Sequence, residues 1–512
     1  MGRCLIKFNS LYRYFFLFGL GFVFSISVLA QKTEQIEIIQ GEELIYTERE
    51  GVKAQRLVGD VIFKHQDALM FCDSAYRFPE ANTIEAFGSV RINQGDTLNL
   101  YGDYLTYDGN LRLATVEGKE VHLINSDFDL ETDRIVFDRK RNTAQYTTGG
   151  VIESQNDSNV LVSIRGFYFV DSKLFAFRED VKLSNPDFVM VSDTLMYYSN
   201  TEMVIFLGPT TIKGDSNLIY CENGWYDTKK DKSQYYENSY LISDGRKLEG
   251  DTLYYDRNLG YGSAIGNIQI TDTAEQMTIL GQKGRIFELQ DSAIVTDQCL
   301  LIQNIDGDSL YMHADTFKVY ALEENQQFML AYPGVKIFKS DLQAVCDSMA
   351  YTLTDSTIRL FDDPILWSGE DQITADSIEI RTKNNKINDI FMYPNAFMIS
   401  RIDSLRFNQV KGRTMQAFFK NSEIKRIEVK GNGQITHYAL DDKEKFIGVS
   451  VAESSDITIR VNKEGIQSIT LIGDAKAPTY PMGDLDPVTE LRYKGFRWLI
   501  ERRPMNKEAV LD

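Results

Sequence analysis

The histidines are the residues of this sequence best suited to acid–base or metal chemistry. The four histidines, His65, His122, His313 and His437, lie on or beside predicted strands, and no two are close in sequence. A metal site or a general base needs further ligands or partners arranged around it. The sequence therefore predicts neither a metal site nor a histidine-based catalytic centre.

Aspartates recur instead at one position of a repeated pattern, as at Asp103, Asp193, Asp251 and Asp376. A glycosidase uses one pair of carboxylates, which would be unique within the chain. The predicted role of the recurring aspartates is therefore hydrogen bonding to the backbone at a bend. Residues 304–308 are rich in Asp and Asn but lack the helices and closing Glu of a calcium loop, so a plain turn is predicted there.

Sequence motifs of the common enzyme classes are also missing. The sequence contains no Gly-rich phosphate loop, no metalloprotease helix motif and no nucleophile elbow. We therefore predict a protein that is not an enzyme and that has no cofactor.

Four cysteines follow the N-terminal region: Cys72, Cys221, Cys299 and Cys346. Three of them, Cys72, Cys221 and Cys346, occupy one slot of the repeat, directly before its acidic position. Four or five repeats separate them, which places their Cα atoms beyond the limit of about 7 Å for a disulfide. They are predicted to be small buried apolar residues.

A repeat of about 30 residues organises the chain. Its first marker is an Asp anchor followed by alternating apolar residues, as in Gly-Asp-Tyr-Leu-Thr-Tyr-Asp at residues 102–108 and Gly-Asp-Thr-Leu-Tyr-Tyr-Asp at residues 250–256. Its second marker, midway between anchors, is a turn followed by an apolar pair, as in residues 87–92 and 265–270. Two markers in phase over ten repeats predict a repeat architecture.

Each repeat is predicted to contain about three short strands and two corners. Apolar residues alternate with a period of two, which indicates strands with one buried face. The Gly-Asp step fits a bulge that turns a strand round a corner. Stacked repeats then form an elongated all-β protein, a pair of antiparallel sheets folded like a trough or a jellyroll with an apolar interior.

The composition indicates the class of partner, and the first 30 residues indicate whether the protein is exported. The formal charge of −19 disfavours a nucleic-acid partner. Residues 1–30 combine a basic start, an apolar core and a Val-Leu-Ala ending, which predicts a signal peptide cleaved after Ala30. An uncleaved membrane anchor is the alternative, but the apolar core of about 15 residues is short for a membrane span.

The repeat pattern resembles the OstA-like family, which includes the periplasmic bridge protein of lipopolysaccharide transport and the N-terminal domain of its outer-membrane translocon. Residues 73–76 (Asp-Ser-Ala-Tyr) and 85–90 (Glu-Ala-Phe-Gly-Ser-Val) carry the pattern best. The similarity is greatest to long OstA-like proteins of Bacteroidetes-type bacteria, and it spans roughly residues 35–475. The long array indicates that one chain does what several subunits do elsewhere.

Membership of that family implies an open β-jellyroll whose apolar groove holds the acyl chains of lipopolysaccharide, and subunits joined end to end by edge-strand pairing. It also implies a periplasmic location, with association with the outer membrane as an alternative. The groove would include the apolar residues two and four positions after each anchor, although these side chains can equally pack as a closed core. They are Leu105, Tyr107, Ile135, Phe137, Leu195, Tyr197, Leu253 and Tyr255.

The repeat spacing becomes irregular after about residue 400, so the array is assigned to residues 31–475. Residues 476–512 form a tail rich in proline, basic and aromatic residues, which either caps the last strands or docks a partner. Two other functions remain open at this point. The chain could be an exported structural or adhesive repeat protein, or a polysaccharide-binding β-helix.

Overall fold

The protein is built almost entirely of antiparallel β-strands, as a computed structural model shows. The structure describes residues 34–94, 98–156, 158–243, 245–274, 276–305, 307–322, 326–352, 356–383, 386–420, 423–441, 445–462, 465–488 and 491–511. The predicted signal peptide, residues 1–30, lies outside these ranges.

The first strands pair mainly with their neighbours in sequence, as a meander. They are β1 (Glu37–Gln40), β2 (Glu43–Arg49), β3 (Val52–His65), β4 (Ala68–Phe78), β5 (Thr83–Gln94), β6 (Leu98–Asp108), β7 (Leu113–Ile124), β8 (Phe128–Asp138), β9 (Thr143–Tyr146), β10 (Gly150–Ser154), β11 (Val160–Ser163) and β12 (Arg165–Phe169).

Ten long strands form the middle of the array: β13 (Leu174–Ser184), β14 (Phe188–Tyr198), β15 (Met203–Gly214), β16 (Asn217–Asp227), β17 (Lys232–Ser243), β18 (Arg246–Asp256), β19 (Tyr261–Asp272), β20 (Met277–Phe287), β21 (Ser292–Ile305) and β22 (Asp308–Leu322). Single 3₁₀ turns at Arg257–Leu259 and Glu288–Gln290 join two of the hairpins.

Shorter strands follow, with long strands near the end. They are β23 (Gln326–Tyr332), β24 (Val335–Lys339), β25 (Leu342–Cys346), β26 (Ser348–Thr352), β27 (Thr357–Phe361), β28 (Ile365–Ser368), β29 (Asp371–Thr374), β30 (Ser377–Lys383), β31 (Lys386–Tyr393), β32 (Ala396–Arg401), β33 (Phe407–Gly412), β34 (Thr414–Lys420), β35 (Glu423–Leu440), β36 (Phe446–Asn462), β37 (Gly465–Ile472) and β38 (Thr479–Tyr480). Two 3₁₀ turns, Ile500–Arg502 and Glu508–Val510, lie in the C-terminal segment.

The register between neighbouring long strands shifts at their centres, because one strand of each pair carries a bulge there. In the pairing of β5 with β6 the shift falls between Phe87 and Val90, and in that of β18 with β19 it falls between Glu249 and Thr252. A bulge bends a strand and increases its twist. The predicted bend at the Gly-Asp step is therefore confirmed, with the extra residue of the bulge on the facing strand, as at Gly88 and Ser89 opposite Asp103. The predicted three strands per repeat are wrong: most repeats contain two long strands, each bent once.

The bulges align along the array and divide it into two facing walls. Wall A contains residues 98–102 and 121–124 together with β10, β11, β24, β25, β28, β29, β32 and β33. Wall B contains residues 104–108 and 113–117 together with β9, β12, β23, β26, β27, β30, β31 and β34. We call the line of bulges between the walls the crease, and the opposite, loop-bearing side the mouth. The predicted elongated antiparallel all-β fold is confirmed.

Prolines separate the walls into independent strands in the later repeats. Pro333 lies between β23 and β24, Pro364 between β27 and β28, and Pro394 between β31 and β32. Proline has no N–H to donate to a sheet ladder, and at these three corners a strand ends where other repeats only bend. Pro209 lies at such a bend inside β15, where a bulge accommodates it. The walls stay antiparallel throughout, which excludes the parallel β-helix considered from the sequence.

Strand spacing sets the length of the array. Neighbouring strands lie about 4.8 Å apart, so the stacked strands of one wall extend on the order of 120 Å. The interior holds two extended apolar clusters, one from Ile36 to Ile268 and the other from Ile279 to Ile459.

Candidate functional site: an apolar seam between two walls

Small residues line the crease, because the two walls converge there. A Cβ added to Gly102 would come within 3.0 Å of the Val116 side chain on wall B, and one added to Gly281 would approach Val295 equally closely. The residue directly before each anchor is accordingly small. These residues are Cys72, Gly102, Thr132, Ser163, Ser192, Cys221, Gly250, Gly281, Ala314, Cys346, Ala375 and Gly412.

The four cysteines of the described chain are free and buried. Burial raises the pKa of the Cys72, Cys221 and Cys346 thiols to about 12, and that of Cys299 to about 11. A thiol with such a pKa is not a nucleophile at neutral pH. The prediction that Cys72, Cys221 and Cys346 are small buried residues is confirmed.

All eight residues predicted for the groove point between the walls, but most are fully buried. Four of them lie next to the crease with exposed fractions of 0–6%: Leu105, Ile135, Leu195 and Leu253. Tyr107 and Phe137, each 1% exposed, lie nearer the mouth. Tyr197 and Tyr255 are half-buried. Six of the eight therefore belong to a closed hydrophobic core, and two line a more open stretch.

One row of aromatic side chains runs along wall B, four residues after each anchor position. It consists of Tyr107, Phe137, Tyr168, Tyr197, Tyr226 and Tyr255. The sequence analysis missed Tyr168 and Tyr226, because their repeats have no Asp at the anchor. Counting four residues from the equivalent position, Glu222 in the case of Tyr226, identifies both.

The first part of the space between the walls is filled by aromatic side chains. Phe128 on wall A contacts Tyr168 and Phe175 on wall B, with ring centroids 5.1 and 4.8 Å apart. Tyr168 and Phe175 themselves stack at 4.3 Å. These rings join the walls as edge-to-face and stacked pairs, which are favourable aromatic geometries.

A buried arginine links the two walls across the mouth. The Arg139 side chain, 3% exposed, pairs through Nη2 with Asp67 Oδ1 at 2.6 Å. Its Nη1 donates to the Tyr107 hydroxyl at 2.9 Å, and that hydroxyl lies 2.7 Å from His65 Nδ1. Arg139 Nε also donates to Gln94 Oε1 at 3.2 Å. We call this set of five side chains the latch. It joins the rim of wall B to the rim of wall A.

The N-terminal segment completes the closure at this end. Ile36 is fully buried, and its N–H donates to Asn82 Oδ1 at 3.0 Å. The Glu34 carbonyl accepts from Asn82 Nδ2 at 3.0 Å and lies 3.1 Å from His65 Nε2. The segment therefore crosses the mouth and is held by both rims.

Beyond this closed part, the apolar residues near the mouth are only half-buried. Wall A presents mainly aliphatic side chains there, and wall B presents tyrosines. We call this set the open seam; it consists of Leu183, Phe188, Ile219, Leu241, Leu248 and Ile270 on wall A, and Tyr197, Tyr226 and Tyr255 on wall B. It is an apolar strip that the described residues leave partly exposed.

The tyrosines of the open seam direct their hydroxyls to carboxylates at the rim. Tyr226 donates to Asp231 Oδ1 at 2.7 Å, and Tyr255 donates to Glu288 Oε2 at 2.9 Å. Burial, together with the hydrogen bond to Glu288, raises the pKa of Tyr255 to about 12. The pKa of Tyr226 is raised for the same reasons. Both phenols are neutral at physiological pH, and their rings form one side of the strip.

The residues singled out for chemistry are dispersed. Within the described ranges, no three His, Cys, Asp or Glu side chains are grouped in a way that would hold a metal ion. His122 pairs with Asp129 at 3.0 Å, and His313 Nδ1 lies 2.9 Å from the Cys299 carbonyl. Asn304 accepts a hydrogen bond from the Gly307 N–H in the hairpin between β21 and β22, at the predicted turn.

Within the described part of the chain, no helix has the length and apolar character needed to cross a membrane.

Comparison with known proteins gives one family match. No curated protein matches the chain. Among solved structures, LptH of Pseudomonas aeruginosa, the LptA-homologous periplasmic component of the lipopolysaccharide transport device, matches with 10% identity. That match covers 23% of this chain and 82% of LptH, with a TM-score of 0.20. The model of the family described as OstA-like protein matches residues 33–193, from the segment that crosses the mouth to the middle of β14. Residues 33–193 are therefore similar to the OstA-like protein family.

Proposed function

We propose that this chain is a non-enzymatic periplasmic bridge in lipopolysaccharide transport to the outer membrane, and that its open seam holds acyl chains. The OstA-like match over residues 33–193 supports the transport role. The observation that carries the binding role is the open seam, a partly exposed apolar strip between the two walls.

The physical basis is the cost of leaving that strip in water. Removing apolar surface from water contributes about 25 cal/mol per Å², or about 0.8 kcal/mol for each buried CH₂ group. An acyl chain lying along the seam would contact the aliphatic row on one side and the tyrosine rings on the other. A tyrosine has an apolar ring and a polar tip, so it suits the boundary between a lipid chain and water.

The N-terminal edge of the array supports the proposed pairing with other transport components. Strand β2 pairs with β3 and has no second strand partner among the described residues. It exposes Leu44 (45%) and Tyr46 (76%). Unpaired N–H and C=O groups on an edge strand bind a partner's strand by β-augmentation. We therefore propose that β2 joins the edge strand of another OstA-like component.

Site-specific photocrosslinking tests the proposed cargo. A photoreactive phenylalanine derivative replaces Tyr197 or Tyr255, whose side chains point into the seam. The matched controls carry it at Tyr198 or Tyr254, the adjacent residues on the outer face of wall B. Purified protein is irradiated in the presence of lipopolysaccharide. We expect adducts at the two inward positions and at least tenfold fewer at the two outward positions.

Equal labelling at the inward and outward positions, or no labelling of well-folded protein, would contradict lipid binding. The structural or adhesive role would then be the better account, because that role requires no uncovered apolar strip.

A further inference from the structure

The C-terminal segment, residues 491–511, runs back along the outer face of wall A. We call it the strap. It packs its apolar side chains on residues that are buried beneath it, from β36 back to the β24 region. The contacts are Leu491 on Tyr438 and Val449, Phe496 and Trp498 on Phe407, and Leu499 and Ile500 on Val345, Ile365 and Trp367. In this region wall A is therefore apolar on both faces.

Three buried glutamines bind the strap from wall A. Gln372 donates from Nε2 to the Arg497 carbonyl and accepts from the Leu499 N–H, both at 2.7 Å. Gln409 repeats this arrangement with the Leu491 carbonyl at 2.7 Å and the Tyr493 N–H at 3.1 Å. Each of these two side-chain amides thus pairs with the backbone as a neighbouring strand would.

The third glutamine, Gln343, accepts from Arg503 Nε at 2.8 Å. The three glutamines are 0–3% exposed. They lie on β25, β29 and β33, which are alternate strands of wall A and so about 10 Å apart. The strap residues that they bind recur every six positions, at 491, 497 and 503.

The regular spacing arises because the three glutamines occupy the same position of the repeat. Each of the three glutamines precedes its anchor position by four residues, and they occur in successive repeats beneath the strap. In other repeats the same position holds residues such as Asn99, Val189 and Thr278. The glutamines are therefore specific to the part of wall A that carries a bound segment, and are not part of the general repeat.

Not every buried polar group at the interface between the strap and wall A has a hydrogen-bond partner among the described residues. Trp367 Nε1 and Trp498 Nε1 are buried and have no hydrogen-bond partner among the described residues. Leaving such a group unpaired costs about 1–3 kcal/mol. Most side chains of residues 481–488, which lead into the strap, are exposed. The strap is thus preceded by a largely exposed linker, and two indole N–H groups at its interface make no hydrogen bond with the described residues.

Charge also favours binding between copies. The strap carries Arg492, Arg497, Arg502 and Arg503, whereas the whole chain has a formal charge of −19. Asp363 on the body accepts from Arg497 at 2.6 Å and from Arg502 at 3.0 Å. A basic strap and an acidic body attract each other whether or not they belong to the same molecule.

We propose that the outer face of wall A from β25 to β36 is a peptide-binding groove with an exchangeable occupant, and that the strap of a second copy of this chain binds there in trans. The ligand is a peptide whose backbone pairs with Gln409 and Gln372 at positions six residues apart, and whose arginine side chain, six residues further on, donates to Gln343. Its aromatic side chains fill the sites between them. Such an exchange of identical segments is a low-cost route to association.

The first test uses the full chain with a protease site inserted between Gly483 and Asp484, in the exposed linker. After cleavage we expect the strap to remain bound and to exchange with a labelled synthetic peptide of residues 491–511, followed by fluorescence anisotropy. Gln372→Leu and Gln409→Leu should each weaken peptide binding at least tenfold. Thr278→Leu, at the same repeat position away from the strap, is the matched control and should have no effect.

The second test asks whether the segment crosses between molecules. A tagged copy carrying Gln343→Leu, Gln372→Leu and Gln409→Leu supplies a free strap, and a cleaved copy depleted of its own strap supplies an empty groove. We expect the two to copurify, and the added peptide to dissociate them. Circular dichroism confirms that each variant is folded.

Failure of the peptide to rebind the folded, depleted chain would overturn the proposal, and so would binding that is unchanged by the glutamine substitutions. Peptide binding without copurification would overturn the part that concerns a second copy.

Discussion

Gly266 lies in the crease beside Asp251 of the neighbouring strand, so close that a Cβ on Gly266 would come within 3.0 Å of the Asp251 carboxylate. Gly266 has a φ of +77°, and the next residue, Asn267, donates from Nδ2 to both carboxylate oxygens at 3.2 and 3.0 Å. The two markers of the repeat are thus two sides of one bulge. The same close approach joins Asp73 with Gly88 and Asp103 with Gly118.

This contact predicts that Gly266→Ala is destabilising beyond the effect of backbone strain. The new methyl group would displace the Asp251 carboxylate and would also hold φ at a value unfavourable for alanine. We expect a loss of about 2–4 kcal/mol, measured by urea unfolding followed by circular dichroism. Gly334→Ala is the matched control, because Gly334 has a φ of +73° and nothing within 4 Å of its added Cβ. Equal losses in the two variants would contradict the steric argument.

Because the walls converge at the crease, we predict that only a small side chain fits at position 221. This residue is fully buried where the walls converge, and its neutral thiol makes a small apolar side chain. Cys221→Ala should therefore cost no more than about 1–2 kcal/mol, whereas Cys221→Leu should cost about 1–3 kcal/mol more because it overpacks a closed space. Thermal unfolding of the two variants provides the comparison. A leucine variant as stable as the alanine variant would show that the walls can separate at the crease.

The strands, the bulges and their phase could be predicted from the sequence because their causes are local. An alternating apolar pattern, a glycine with positive φ and an aspartate beside it are all short-range features. The number of strands per repeat could not be predicted in this way. A bulge such as that at Gly88 bends a strand without ending it, and from sequence it looks the same as a turn.

The sequence also did not predict that the first part of the space between the walls is closed and that the open seam is not. Tyr107 and Tyr197 occupy equivalent positions in their repeats, yet Tyr107 is buried and Tyr197 half-buried. The difference arises from distant residues, namely Arg139 and the segment containing Ile36, which cover the first part of the mouth. Contacts across more than 30 residues leave no local pattern, and the same holds for the glutamines that bind the strap.

Two histidines predict loss of stability in mild acid. Burial lowers the pKa of His65 and of His437 below the ordinary value of 6.5. The unfolded chain therefore takes up protons below about pH 6.5 that the folded chain does not, so stability falls as the pH decreases from 6.5. We expect the urea midpoint to drop between pH 7 and pH 5, and to drop less in a His65→Gln, His437→Gln variant. The same pH dependence in both proteins would contradict this assignment.

The latch predicts a large effect of removing Arg139. Replacing it with methionine leaves the Tyr107 hydroxyl and the His65 carbonyl without their buried donor and removes the ion pair with Asp67. The expected loss is about 1–3 kcal/mol, the cost of leaving buried neutral acceptors without a donor, because the Asp67 side chain is 66% exposed and stays hydrated. Hydrogen exchange should localise the change to residues 61–67 and 104–139. Arg141→Met, which alters an exposed arginine two residues away, should leave exchange there unchanged.

The open seam predicts that a charge can abolish lipid binding without unfolding the protein. Leu248 lies on wall A and is half-buried, so glutamate at this position can keep its carboxylate in contact with water and should reduce stability only slightly. An acyl chain in the seam would bury that carboxylate, and burying an unpaired charge is strongly unfavourable. We therefore expect Leu248→Glu to weaken lipid A binding at least tenfold. Val191→Glu, on the outer face of wall A where Val191 is 49% exposed, introduces the same charge and should bind as the unmodified chain does. If both variants lost binding equally, the effect would be one of net charge, and the seam would not be the lipid site.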